Sequence, residues 1–363
     1  MEDQLKAPSL CKRILSACIL VLIAVSFCAA GEQGTPLPPP GKELSSECLA
    51  CFLESFQLLK EFGDNIWKGF GGISPRVNII TPHYEFFFGD QAAPQGYQLF
   101  SGDRCAGKPI YYKKRDFPQE FTLTVNRIEG KPALYISSKE IFEKTYLKSP
   151  LYKIAEDYLF TILQQYFHLF LAAGSLEGKV PDSQFDPQAF RKIYPYLDFT
   201  NSRLMEIEGD ELRQAYLARD AAAAREHLVN FFKIRALRQK ELHEDTGTDF
   251  CLFENWSEWY EGLAKYTEVE FARALSLAPY KPLPSMRKVK NFRDYRFVRN
   301  KTSFELSRLK STRTSLVHAA TGFTEALLLD RQEIKWKEKI LEPGVFPADL
   351  LKQALKKQKD YYE

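Results

Sequence analysis

From about residue 139 to its end the chain repeats apolar residues at helical spacing, segment after segment, and this limits the fold more than any other feature. The clearest runs predict helices over 151–173, 201–218, 220–241, 254–277 and 303–330, with a last pair near 333–341 and 347–361. Pro187 after the capping residue Asp186 opens another, since a first-turn residue leaves its amide unused in any case. Pro279, Pro282 and Pro284 break the run between two of these helices. Ahead of residue 139 the pattern changes. Short β-branched and aromatic runs (Val77 to Ile80, Tyr84 to Phe88, Phe121 to Val125, Ala133 to Ile136) alternate with Gly, Pro and Asp. One more helix is expected over 45–62, capped by Ser45 or Ser46. The fold class is therefore α+β, a predominantly helical body with a small N-terminal β-sheet region.

Composition supports a large core and little else. Of 363 residues, 45% are hydrophobic and 14% aromatic, and 50 Lys+Arg against 47 Asp+Glu leave a net charge of +3. That balance excludes a polyanion-binding arm and a disordered acidic tail. No segment repeats with a solenoid or propeller period.

Residues 1–30 read as a signal peptide: Lys6, Lys12 and Arg13 precede an apolar run from Ile14 to Phe27, and Cys28-Ala29-Ala30 forms a small-residue cleavage site. The run is short for a spanning helix, which needs about 20 apolar residues, so an uncleaved membrane anchor is the alternative. A lipid on Cys28 is a third reading, disfavoured by the bulky Phe27. Residues 31–44 then form a Pro-rich linker, 45–138 an N-terminal helix with a small β-sheet subdomain, and 139–363 the helical domain. The expected location is exported: periplasmic, extracellular or membrane-attached.

Cleavage removes Cys11, Cys18 and Cys28 and leaves Cys48, Cys51, Cys105 and Cys251. An even count in an exported chain suggests disulfides, with three connectivities open. Cys48-Leu49-Ala50-Cys51 has redox spacing, but it opens a helix instead of following a strand, which favours a structural role.

Two helices hold the chemical signal. One contains Gln164-Gln165-Tyr166-Phe167-His168, the other Trp259-Tyr260-Glu261-Gly262-Leu263-Ala264-Lys265-Tyr266. Residues four apart share a helical face, the spacing with which H-E-x-x-H peptidases place two zinc-binding imidazoles. These segments resemble gluzincin-type (peptidase-MA-like) zinc metallopeptidases, whose third ligand is a Glu in a later W-x-x-E-G-[FL]-A-x-Y helix. The resemblance is to an exported, uncharacterised bacterial branch. It extends to Trp67-Lys68-Gly69-Phe70, to Thr321-Gly322 with Ala326 to Asp330, and to Trp336-Lys337. It implies a zincin-like body in which His168 matches the second zinc ligand and Glu261 the third.

The departures are severe. Gln164 stands where the first ligand histidine belongs, and Gln165 where the general-base glutamate belongs. A neutral amide oxygen is a poor partner for zinc. General-base catalysis supplies roughly 10²–10⁴-fold of rate, and an amide accepts no proton near neutral pH. The reading is a pseudo-peptidase with no cofactor, whose inherited cleft binds a peptide or protein segment through Gln164, His168, Glu258, Glu261 and Tyr266. His318 is a weak catalytic candidate.

The enzyme alternative keeps zinc on His168 and Glu261 with a rebuilt ligand set; the structural alternative is a helical envelope-associated protein. Glu254, Glu258 and Glu261 share a face, and without zinc they need Lys or Arg partners or a proton. Glu254 is expected in a partly solvated stripe beside Lys265. The basic run Arg287 to Arg299 is expected to be a solvated surface, with an anionic membrane face second and no nucleic-acid partner. Membrane proximity otherwise follows only from an uncleaved N-terminal segment or a lipid.

Overall fold

The computed structural model describes residues 38–117, 121–146, 155–174, 179–180, 185–277, 279–295, 301–332 and 335–362. Residues 1–30, expected to be a signal peptide, the first half of the linker (31–37) and the end of the basic run (296–299) lie outside the described residues. The chain divides into two compact units, Met1–Glu43 and Leu44–Glu363. In the first, the described residues form a 3₁₀ turn at Pro40–Lys42.

The second unit opens with α1 (Ser46–Ile66), where the Ser45 hydroxyl accepts the Cys48 amide hydrogen at 3.0 Å and so satisfies a first-turn donor. Six strands follow: β1 (Val77–Ile80), β2 (Tyr84–Phe88), β3 (Gln98–Cys105), β4 (Lys108–Lys114), β5 (Leu123–Ile128) and β6 (Lys131–Ser137). They form one sheet in the order β3-β4-β2-β1-β6-β5, antiparallel except for the β1–β6 pair. Next come α2 (Lys139–Tyr146), α3 (Ala155–Gly174), α4 (Pro187–Ile193), α5 (Phe199–Leu217) and α6 (Ala221–Thr246). The chain then runs through α7 (Cys251–Ser257), a π turn at Glu258–Gly262, and α8 (Leu263–Leu277). It ends with α9 (Lys301–Ser307), α10 (Leu316–Arg331), α11 (Trp336–Lys339) and α12 (Pro347–Tyr362). The architecture is α+β and predominantly helical.

Two expectations change at this level. The helix predicted over 303–330 is broken, because α9 passes through a 3₁₀ turn at Arg308–Lys310 and α10 restarts only at Leu316. The intervening Ser311-Thr312-Arg313-Thr314-Ser315 is rich in side chains that compete for backbone hydrogen bonds. The helix predicted over 254–277 begins at Cys251 and carries the π turn in its middle.

One continuous apolar core joins sheet and helices, from Leu44 to Leu351. The motif segments meet inside it. The Trp67 ring stacks on Phe167 with centroids 5.0 Å apart, meets Tyr266 and Trp336 edge-on, and donates its indole N–H to the Thr267 hydroxyl at 2.7 Å. Lys337 lies over the Trp67, Tyr266 and Trp336 rings and donates to the Ile66 carbonyl. Gly69 has φ +83°, a left-handed conformation that lets the chain turn between Trp67 and Phe70.

The four cysteines are free thiols, with Cys48, Cys51 and Cys105 buried. Disulfides are therefore absent among the described residues. Burial pushes the Cys48 and Cys105 thiols up to about 12 and raises Cys51 as well, the opposite of what a reactive C-x-x-C needs. Among the described residues no helix is long and apolar enough to cross a membrane.

Candidate functional site

α3 lies against α1, α8, β6 and the edge strand β5, which buries nearly its whole circumference. Gln165 and His168 are buried on it, while Gln164, one turn before His168 on the same face, is partly exposed.

His168 and Glu261 come together. The imidazole is 3% exposed, and its Nε2 lies 3.8 Å from Glu261 Oε2. Its ring stacks on Tyr260 at 4.0 Å, and Tyr260 stacks in turn on Trp256. His168 Nδ1 is buried without a hydrogen-bond partner among the described residues. Burial lowers its basicity to about 4, with Arg191 adding to the effect and Glu261 opposing it, so the ring is neutral at pH 7. Glu261 is not left bare: Arg191 Nη2 donates to its Oε1 at 3.0 Å, and the two side chains are 27% and 33% exposed. Arg191 comes from α4, an element in which nothing in the sequence signals a role at this site. Its placement depends on Asp186, which accepts the Gln188 amide hydrogen, and on Phe190, which packs on Phe185, Phe250 and Phe253.

The other expected site residues lie elsewhere. Glu258 is 1% exposed and sits in a bidentate pair with Arg235 at 2.6 and 3.0 Å, so it lines no cleft. Glu254, expected in a solvated stripe, is fully buried; Arg238 holds both its oxygens at 2.6 and 2.9 Å, and its carboxyl is pulled well below the usual range. Glu208 of α5 bridges the two arginines at 2.8 Å each, and Glu325 of α10 lies 3.3 Å from Arg235. Tyr266 is a core residue whose hydroxyl donates to Asp330 at 2.7 Å. His318 is buried among Tyr194, Tyr196 and Phe253, and burial lowers it to about 4.

The buried network holds four carboxylates and two guanidiniums, so charge balance requires protons. Burial is the largest cause raising Glu325, to about 7, with Glu208 adding and Arg235 opposing; Glu258 is raised too. A carboxyl whose folded pKa lies above its unfolded value stabilises the fold at low pH, and that contribution is lost as pH rises through about 7. Glu325→Gln is thus expected to match the native protein near pH 5 and to exceed it at pH 8–9 by on the order of 2 kcal/mol. Urea unfolding at the two pH values checks this. An equal effect at both would show that Glu325 is ionised throughout.

Zinc does not fit the residues present. One imidazole and one carboxylate leave the site short of ligands, the carboxylate is engaged by a guanidinium, and Gln164 offers only a neutral amide. Among the described residues no group of three or more His, Cys, Asp or Glu side chains is arranged to hold a metal. Cavities of about 610, 480 and 440 Å³ open elsewhere on the protein, and none of these three is lined by His168 or Glu261. Compared with protein-family models, with curated proteins and with solved structures, the chain matches none.

Proposed function

We propose that this is an exported, gluzincin-like pseudo-peptidase: a peptidase scaffold that no longer holds zinc or hydrolyses amides and that binds a peptide or protein segment. The observation that carries it is the pairing of His168 with Glu261 from a distant helix, with Gln164 and Gln165 one turn away on α3. Trp67, Phe167, Tyr266 and Trp336, from four of the motif segments, also pack in one aromatic cluster. The support is local to these residues and owes nothing to whole-chain similarity. For the partner, β5 is an edge strand beside α3, and its unpaired backbone groups suit an added extended segment.

Two measurements test the proposal. Elemental analysis of the purified protein is expected to find no stoichiometric zinc; one zinc per chain with turnover of a peptide amide would restore the enzyme reading. Hydrogen exchange in the presence of a binding peptide, selected from a random library, is expected to protect the β5 amides. The burial of both His168 and Glu258 favours a second reading, a helical scaffold with no ligand cleft. Failure of any library peptide to protect β5 would leave that one standing.

A further inference from the structure

The retained carboxylate has a resident partner, and this deepens the pseudo-peptidase reading on which it rests. We propose that Arg191 has taken over the charge of the missing ion and is the residue that keeps metal out of the site.

Zinc would need a Glu261 oxygen and the His168 nitrogen at about 2.0–2.2 Å each. Glu261 presents one oxygen to the guanidinium at 3.0 Å and the other to His168 Nε2 at 3.8 Å, so the carboxylate is already divided between two partners. An ion bridging His168 and Glu261 would lie within a few ångströms of a permanent positive charge. His168 is almost wholly buried, and Arg191 and Glu261 are about two-thirds covered, so water screens that repulsion only in part. The arrangement is built into the fold. Arg191 stands on a capped helix pinned by the Phe190 contacts, in the segment joining the two motif helices, and not on a loose surface arm. Loss of the first ligand histidine is therefore only half of the change. Restoring an imidazole at position 164 leaves the guanidinium in place.

The test uses the full chain in four forms: native, Gln164→His, Arg191→Ala, and the double variant. Zinc binding is measured by calorimetry, and cobalt(II) is used as a spectroscopic probe for its visible absorption in a tetrahedral site. Only the double variant is expected to bind one zinc per chain, about 10–100-fold tighter than Gln164→His alone. Equal binding by Gln164→His and the double variant would overturn the role of Arg191 while leaving the scaffold reading intact. No uptake by a double variant that keeps native circular dichroism and melting temperature would remove the zinc-site ancestry itself. If Arg191→Ala disturbs folding, Arg191→Gln takes its place, since it removes the charge and keeps a polar side chain.

Discussion

Arg235→Met is expected to lower stability at pH 7 by about 3–5 kcal/mol, because it strands Glu258 and Glu325 in a place water does not reach and leaves Glu208 with Arg238 alone. The loss is larger than an exposed ion pair could give, since the side chains concerned are at most 6% exposed. It should shrink as pH falls below 7, because losing the guanidinium pushes up carboxyls that burial already raises, and once protonated they no longer need a counter-charge. Adding Glu258→Gln to Arg235→Met should recover part of the loss, the non-additivity expected of directly bonded partners. Denaturant unfolding of the two single variants and the double gives the full cycle. An Arg235→Met protein within about 1 kcal/mol of native would mean that the network is hydrated or largely neutral. The consequence reaches the site, for Arg235 and Arg238 tie α6 to Glu208 of α5, Glu254 of α7, Glu258 of the π turn and Glu325 of α10. The π turn that presents Glu261 is anchored by this network.

Gly322→Ala is expected to be at least as damaging, by more than about 3 kcal/mol, and to disturb the site directly. A Cβ at Gly322 would lie 2.0 Å from the Glu258 carbonyl oxygen, a backbone atom that cannot swing aside as a side chain would. The contact is reciprocal, since a Cβ on Gly262 would lie 2.6 Å from the Gly322 Cα. The two glycines let α10 and the π turn touch backbone to backbone, which explains why both E-G-L-A and T-G-F need glycine there. Gly174→Ala is the control, because among the described residues nothing beyond its own helix lies within 4 Å of its added Cβ, and it should leave stability unchanged or slightly raised. A Gly322→Ala protein with native unfolding behaviour would show that α10 can move away freely.

Helix positions were largely legible because core burial imposes a 3.6-residue apolar period that survives in the bare sequence. The α1 cap and the Asp186-Pro187 start of α4 were legible for the same local reason: one side chain and one nearby amide decide them. The break between α9 and α10 is hidden in the sequence because apolar residues on both sides keep the period while the hydroxyl-rich stretch between them leaves it. The burial of Glu254 and Glu258 is hidden for another reason. A stripe of carboxylates looks solvated until its partners are known, and these lie on a different helix. The available signal was the pair Arg235 and Arg238, three residues apart in α6 between the apolar Phe231 and Leu242, a basic stripe complementary to the acidic one.

By itself, the sequence determined the α+β class, the helical body and the two amides at Gln164 and Gln165, since each depends on residue type and short-range spacing. Only the tertiary structure decided that His168 meets Glu261, that Arg191 pairs with that carboxylate, and that the remaining acids are buried against arginines. These are contacts between distant segments, and the charge that matters at each lies far along the chain from the residue it neutralises.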